Sequence, residues 1–385
     1  MTSIVKHLPL AALALAPSAL AQWTVVNLHP AGAARSFAYG VDGVQQVGAA
    51  VIGGSEHASL WSGSAATWVD LHPAWAGYST AYGVESGQQV GSAGESGGNV
   101  ASLWTGTPAS WVSLAPEGSE ANINVATAAS PDQQVGVADV NSLRASLWSG
   151  SAASWIDLTP SGFTDSFAYG VRCGQQVGSA GGHACLWNGT AASFVDLHPT
   201  AATGGSEAVG VSAGQQAGYA RIGDYDHAGL WHGSAASWVD LSPSGSSDSY
   251  CLGACAGQQV GYAVIGGNSR ASLWTGSAES WVNLHAALPA HFAGSFAQGI
   301  SRNTSFVFVV GYGFNTSTNR FEALLWKRAI TCPADTDQDG FITGTDFDLY
   351  VTMFESGDRL ADFDGDGFNT GLDFDLYVQA FEGGC

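Results

Sequence analysis

From residue 23 onward the chain alternates short apolar runs with small polar residues, in bursts of four to six: SFAYGV, QQVGYA, HASLW and WVDL, bounded by Gly, Ser, Thr or Pro. Runs of this length and punctuation predict β-strands joined by tight turns, and none is long enough for a typical helix. They recur in a fixed order. An aromatic residue opens a WVDL-like run at Trp23, Trp68, Trp111, Trp155, Phe194, Trp238 and Trp281. A QQVG-like run follows at Gln45, Gln88, Gln133, Gln175, Gln215 and Gln258, with a degenerate seventh around Val310. A Leu-Trp pair then ends at Trp61, Trp104, Trp148, Trp187, Trp231, Trp274 and Trp326.

Successive opening aromatics lie 45, 43, 44, 39, 44 and 43 residues apart, the period of a propeller blade or solenoid unit. Four strands per unit favour the blade. The chain starts with the last strand type, WTVVNL from Trp23, and its final unit stops after the third, EALLW, ending at Trp326. The seventh blade must therefore be assembled from both ends, which closes a ring and leaves no strand edge at the joint. The fold class expected is all-β, a seven-bladed propeller over residues 22–329, with Val69 and Leu71 on one face of the WVDL strand and Trp68 on the other.

The repeated Trp, Asp and His residues read as scaffold, because an active site is rarely needed many times over. The Asp of WVDL (Asp70, Asp157, Asp196, Asp240) becomes Asn27, Ser113 or Asn283 elsewhere, so an acceptor for turn amides is kept rather than a charge. The His of LHP (His29, His72, His198) becomes Thr159 or Ser242, which suits a turn residue and not a metal ligand. The HASLW, HACLW and HAGLW runs, with AYGV and QQVG downstream, resemble the extracellular repeats of the HAF family, with Leu standing where that family writes Phe. The resemblance implies an exported propeller-like array and brings no substrate with it.

Composition adds compartment and partners. Only 11% of residues are charged, with 52 Gly and 14 Trp, a balance suited to strands and aromatic packing. The formal charge of -21 argues against a nucleic-acid partner, which would want a basic stripe. Lys6 and His7 precede an apolar run from Leu8 to Leu20 that closes on Ala19-Leu20-Ala21, the layout of a secretory signal peptide over residues 1–21. That run is too short to span a bilayer, and no later segment qualifies. The expectation is a secreted or extracellular protein. Three Asn-x-Ser/Thr sites, at Asn188, Asn303 and Asn315, would matter only in a host that glycosylates them.

Residues 330–385 form a separate module. From Cys332 onward there are 13 acidic residues and one basic one, Arg359. DTDQDGFITGTD (335–346) and DFDGDGFNTGLD (362–373) repeat at a spacing of 27 and match the acidic calcium loop. The ligands expected for one calcium ion are Asp335, Asp337, Asp339, the carbonyl of Phe341, Thr343 through water, and Asp346. A second ion would take Asp362, Asp364, Asp366, the carbonyl of Phe368, Thr370 and Asp373. Each loop precedes a short helix with one apolar face: Phe347, Tyr350, Val351 and Phe354, then Phe374, Tyr377, Val378 and Phe381. Loop then helix, duplicated, with Asp at position 12 and a Gly384-Cys385 end, resembles a dockerin of the type that closes many exported bacterial proteins. That resemblance implies calcium-dependent docking to a cohesin, or sorting and anchoring at the cell surface. Loop positions 10 and 11 are Gly344-Thr345 and Gly371-Leu372, unlike the family's usual Ser/Thr pairs.

Six cysteines in an exported chain point to disulfides. Cys332 with Cys385 would clasp the calcium module, a free terminal thiol being the rival. Cys173 with Cys185 and Cys251 with Cys255 would be local links. Two functions then compete: a non-catalytic binding or display propeller with a glycan or protein ligand, and a polysaccharide-degrading hydrolase or lyase, which needs only two carboxylates. Acids that break the repeat are Glu117, Glu120, Asp139, Asp224, Asp226 and Glu279. The near-uniform units favour the first reading.

Overall fold

The computed structural model describes residues 23–95, 98–120 and 122–384; the expected signal peptide, residues 1–21, and Cys385 lie outside the described residues. Seven four-stranded antiparallel sheets form a ring. In the first blade Ser36–Asp42, Gln45–Ile52, Ser55–Trp61 and Val69–Asp70 follow one another from the axis outward. The seventh joins Phe292–Arg302, Phe306–Asn315 and Arg320–Ala329 to Thr24–Asn27. That closing strand pairs Val25 with Trp326 and Asn27 with Leu324, as the offset units require. Glu322 fastens the joint: its carboxylate accepts from Asn27 Nδ2 at 2.7 Å, Asn315 Nδ2 at 3.0 Å and Arg320 Nε at 2.8 Å.

Seven sheets must meet around one axis, and the innermost strands carry a device for it. Each has a register shift at the same place, as between Ala38 and Gly40 or between Ala297 and Gly299. A β-bulge of this kind bends and twists the strand. Glycine there lets neighbouring inner strands touch: a Cβ on Gly40 would lie 2.6 Å from the Tyr82 carbonyl oxygen, and one on Gly299 2.9 Å from that of Tyr39.

Between blades the repeated residues form the seam. Every Trp of the Leu-Trp pairs, from Trp61 to Trp326, is fully buried. The second Gln of QQVG accepts from the turn after that Trp, as Gln46 does from Gly63 N at 2.7 Å. Its amide also reaches the preceding blade, Gln216 Nε2 donating to Gln175 Oε1 at 2.8 Å and Gln176 Nε2 to Gln133 Oε1 at 3.1 Å. The opening Trp of WVDL donates to a Ser of ASLW, as Trp68 Nε1 does to Ser59 Oγ at 2.9 Å. Where Phe194 replaces that Trp, Cys185 replaces the Ser; where Gly229 replaces the Ser, the Trp238 ring fills the space a Cβ would need.

Two expectations need correction. Leu71 is buried, but Val69 is 37% exposed, as are its counterparts Val112 and Ile156 at 41% and 44%. The outermost strand is a two-residue ladder at the perimeter, so its first residue overhangs the sandwich. Cys173, Cys185, Cys251 and Cys255 are free thiols. Cys251 and Cys255 lie four residues apart on one strand, about 13 Å in extended chain, against the roughly 4.4–6.8 Å between Cα atoms that a disulfide spans. Cys173 sits in a hairpin turn, while Cys185 opposes Gly178 farther along the next strand. Cys332 is not among the free thiols, and its expected partner is Cys385.

The tail folds into α1 (Gly344–Glu355) and α2 (Gly371–Gly383). Their apolar faces meet with Tyr350 stacked on Tyr377, ring centroids 3.7 Å apart. Leu349 and Met353 of α1 are buried as well, a second apolar face turned to the ring.

Deleting residues 22–28 is expected to lower the melting temperature sharply; an unchanged melt would refute closure by the two ends. Glu322→Ala, which strands buried donors, is expected to cost roughly 2–3 kcal/mol. Burial pushes the Glu322 carboxyl up, but the bonds from Asn315, Arg320, Asn27 and Thr318 outweigh it and bring it from 4.5 down to about 2. Its contribution is therefore complete above pH 4.5 and fades as the pH falls toward 2, which acid melts of the wild type and the variant would reveal.

Candidate functional site

A Ser, a His and an Asp, the residue types of a nucleophile and its base, come together at one blade junction after another. Asp70 Oδ1 accepts from the His72 amide at 2.8 Å and its Oδ2 meets His57 Nδ1 at 2.8 Å. His72 Nε2 lies 2.9 Å from the Ala76 carbonyl, so it carries the proton, and Nδ1 accepts from the Ser79 hydroxyl at 2.8 Å. Burial and the neighbouring His57 hold His72 below its ordinary pKa, keeping it neutral. Ser79 is fully buried and accepts the Ala58 amide of the previous blade at 2.9 Å. His198 with Ser206 and Ser242 with Ser249 repeat the contact. The imidazole that the Asp bonds, His57, is not the one that touches Ser, and the hydroxyl faces no solvent. This is a seam between blades, not a nucleophile and its base.

The tail brings together part of each expected ligand set. Asp335, Asp337 and Asp346 offer carboxylate oxygens all within 4.8 Å of one another, as do Asp362, Asp364 and Asp373. Asp346 organises the first loop by accepting from the amides of Thr336 at 2.7 Å and Thr343 at 2.8 Å, and Asp373 accepts in the same way from Phe363 at 2.8 Å and Thr370 at 2.7 Å. Asp339 and Asp366 stand outside these trios, each accepting the amide two residues on, from Phe341 and Phe368. Thr343 and Thr370 cap α1 and α2. Three converging carboxylates fit a hard divalent cation. Asp335 and Asp337 are buried, whereas Asp364 is exposed. Burial, then the Asp346 and Asp339 charges, push Asp337 up to about 7.

The difference between the loops has a cause in the ring. The turns between first and second strands all emerge on one face, and the tail packs across them. Arg172 grips Asp358 with two bonds, Nε to Oδ2 at 2.7 Å and Nη2 to Oδ1 at 2.6 Å. Arg359 pairs with Asp42, and with Glu85 at 2.6 Å. Arg302 Nη1 donates to the Thr336 carbonyl inside the first loop at 2.5 Å. Asp358 is buried, and burial opposes its charge, but the Arg172 pairing outweighs that and holds its carboxyl below the usual 3.8.

The tail thus covers one mouth of the axial channel. A cavity of about 380 Å³ runs along the axis, lined by all seven inner strands and bearing Tyr39, Tyr82 and Tyr169; at the covered end it reaches Glu85 and Arg172. The other mouth lies at the opposite ends of the inner strands. Sequence reasoning missed Asp42, Glu85, Arg172 and Arg302. The available signal was their place: Asp42, Glu85 and Arg172 precede equivalent hairpin turns, where other blades put Ser212, Cys255 or Ser301, and Arg302 follows that Ser. The acids that break the repeat are scattered. Asp224 sits exposed at a hairpin tip, Glu117 and Glu279 are exposed, Glu120 and Asp139 share Asn122 at 3.2 Å, and Asp226 accepts from Tyr250 Oη at 2.7 Å.

No family model and no curated protein matches this chain. Among solved structures, a Mycobacterium tuberculosis puromycin-hydrolyzing peptidase is 13% identical with a TM-score of 0.49, covering 75% of this chain and 52% of its own. The β-propeller domain of the Trilobed protease from Pyrococcus furiosus, described as open velcro, is 11% identical with a TM-score of 0.46 over 77% of this chain and 98% of its own. A putative TolB from Agrobacterium tumefaciens is 10% identical with a TM-score of 0.40, covering 68% and 94%. This chain spans about half the length of the peptidases it matches. Likeness this distant carries no functional argument.

Asp358→Ala, which leaves Arg172 buried and unpaired, is expected to weaken docking of the tail by about 3–5 kcal/mol. Hydrogen exchange should rise in the hairpins around Arg172–Gln175 and Cys255–Gln258 while the outer strands are unaffected. The Asp358 contribution is complete above pH 3.8 and is lost as the pH falls below it; equal protection of those hairpins in wild type and variant would remove the ion pair from the docking account.

Proposed function

We propose that this is an exported, non-catalytic binding or display propeller of the HAF-repeat kind, held at the cell surface or in an extracellular complex by a calcium-dependent, dockerin-like tail. The observation that carries the binding half is the commitment of the repeated Ser, His and Asp side chains to bonds between and within blades. What remains variable, and free to recognise a ligand, is the mouth of the channel and the rims of the blades. Supporting the tail's role are the two carboxylate trios and the exposure of Thr345 and Leu372 at the loop positions where a cohesin would read the module. Asp335, Asp337 and Asp346 would hold one calcium and Asp362, Asp364 and Asp373 the other, with the Phe341 and Phe368 carbonyls completing the loops. The ion would supply no bond-breaking chemistry here; it would neutralise the crowded carboxylates and fix the start of each helix.

The second reading, a glycoside hydrolase or polysaccharide lyase, rests on Asp224 and Asp226. Asp226 is engaged by Tyr250 and Arg221, which suits positioning of the tyrosine ring better than acid-base work.

Calcium titration of the full chain is expected to show two equivalents taken up, with Asp335→Asn and Asp362→Asn each removing one; no uptake at millimolar calcium would end the dockerin-like reading. Incubation with polysaccharides followed by mass spectrometry is expected to release no oligosaccharide. Products abolished by Asp224→Asn with Asp226→Asn would place the protein among the enzymes.

A further inference from the structure

The fourth blade has the shortest second hairpin, the third blade's strands of six and six residues being next. Its second and third strands, Gln175–Ala180 and His183–Trp187, have six and five residues, where the first blade has eight and seven. The missing residues are the ones that would reach the open face, opposite the tail, so the two-glycine turn, Gly181-Gly182 here and Gly53-Gly54 in the first blade, sits lower on this blade. The rim is therefore notched. A cavity of about 430 Å³ lies in the notch, flanked by His183 and His198. It shares Gly182 and Gly205 with an inner cavity of about 200 Å³ bounded by Glu207, Tyr219 and Asp226. Glu207 in turn stands beside the hydroxyls of Tyr169, in the channel wall, and Tyr219.

At the inner end of the notch begins an arc of half-buried aromatic rings. Tyr219 meets Tyr250 at 4.9 Å, Tyr250 meets Tyr262 at 4.8 Å, Tyr262 meets Phe296 at 4.9 Å, and Phe296 meets Tyr312 at 5.0 Å. The ring closes without aromatics on the second strand of a blade. The Phe of SFA recurs at Phe37, Phe167 and Phe296, but on the second strand the equivalent places in the first four blades hold the smaller Ala49, Ser92, Val137 and Ser179, so Tyr219, Tyr262 and Tyr312 are the departure from the repeat.

We infer that the notch and the arc form one cleft for an uncharged oligosaccharide chain, lying across the open face from the blade rim to the channel mouth. This rests on the binding-propeller reading above. Ring faces carry the negative side of the aromatic quadrupole and pack against the weakly positive C–H faces of a sugar. The carboxylates of the cleft are already engaged: Asp226 by Tyr250 and Arg221, Glu207 by the tyrosine hydroxyls beside it. They hold the rings in place and are not left as counter-charges for a cation. An anionic glycan would approach a chain of formal charge -21, which long-range repulsion disfavours. The tail covers the opposite mouth, so the notched face is the side from which a ligand reaches the channel.

The test is affinity electrophoresis of the full-length protein in gels containing soluble mixed-linkage glucan, xyloglucan or galactomannan, with polygalacturonate for contrast. Retardation by at least one neutral polysaccharide and by no polygalacturonate is expected. Tyr219→Ala and Tyr250→Leu should each weaken it roughly tenfold, Tyr219→Phe should keep it within about threefold, and Glu279→Ala, on the perimeter, should leave it unchanged. Tyr250→Leu preserves apolar volume without the ring, and matching melts confirm that the variants fold. Absence of retardation by every neutral polymer, equal retardation in the tyrosine variants, or preference for polygalacturonate would each overturn the cleft. Shortening of a retarding polymer would instead overturn the non-catalytic reading and leave the cleft standing, and failure of calcium uptake would touch the tail alone.

Discussion

Seven twisted sheets can share one axis only if their inner strands come into backbone contact and no sheet edge is left over. The first condition is met by a bulge in every inner strand and by residues such as Gly40 and Gly299, whose missing side chains admit a neighbouring carbonyl. The second is met by handing the last blade's outer strand to the start of the chain, where Asn27 and Glu322 tie segments nearly 300 residues apart. The radial order of strands, the single face on which the first hairpins emerge and the position of the tail across them all follow from that closed geometry.

Within that frame, residues that carry chemistry elsewhere serve as joinery. A hydroxyl, an imidazole and a carboxylate meet at successive junctions, but each is spent on a backbone group or on the residue beside it, and the hydroxyl is dry. Leaving them unpaired would cost more than any single bond among them contributes, which accounts for the loss of Trp and Ser together at Phe194 and Cys185 and for the replacement of His by Thr159, whose hydroxyl keeps the bond to Ser166. Functional variation is displaced to positions the seam does not use, namely the hairpins under the tail on one face and the rim and mouth on the other.

The two faces are chemically unlike. One sets Arg172 and Arg302 of the ring against the acidic tail and receives the tail's own Arg359 on Asp42 and Glu85, so much of a small stock of basic residues is spent holding the module. That contact makes unequal partners of two nearly identical loops, the first wedged against the ring and the second open to water. Among the described residues nothing covers the other face, which presents tyrosines whose hydroxyls are steadied by acids.

The blade number, the closure by both chain ends, the tail's loop-and-helix repeat and the scaffold role of WVDL were all legible in the sequence, because each rests on local periodicity or on a motif with fixed spacing. The short spacing of 39 between Trp155 and Phe194 was legible too, but not that it opens a notch, since only the ring decides which end of a strand faces the ligand side. Nor did spacing show that Val69 overhangs the perimeter, that Cys251 and Cys255 point along one strand, or that Leu349 and Met353 turn to the ring. Those facts depend on what stands opposite each residue. Pairing Arg172 with Asp358, 186 residues away, is likewise a product of closure: local pattern sets what each unit is, and the closed circle sets what it touches.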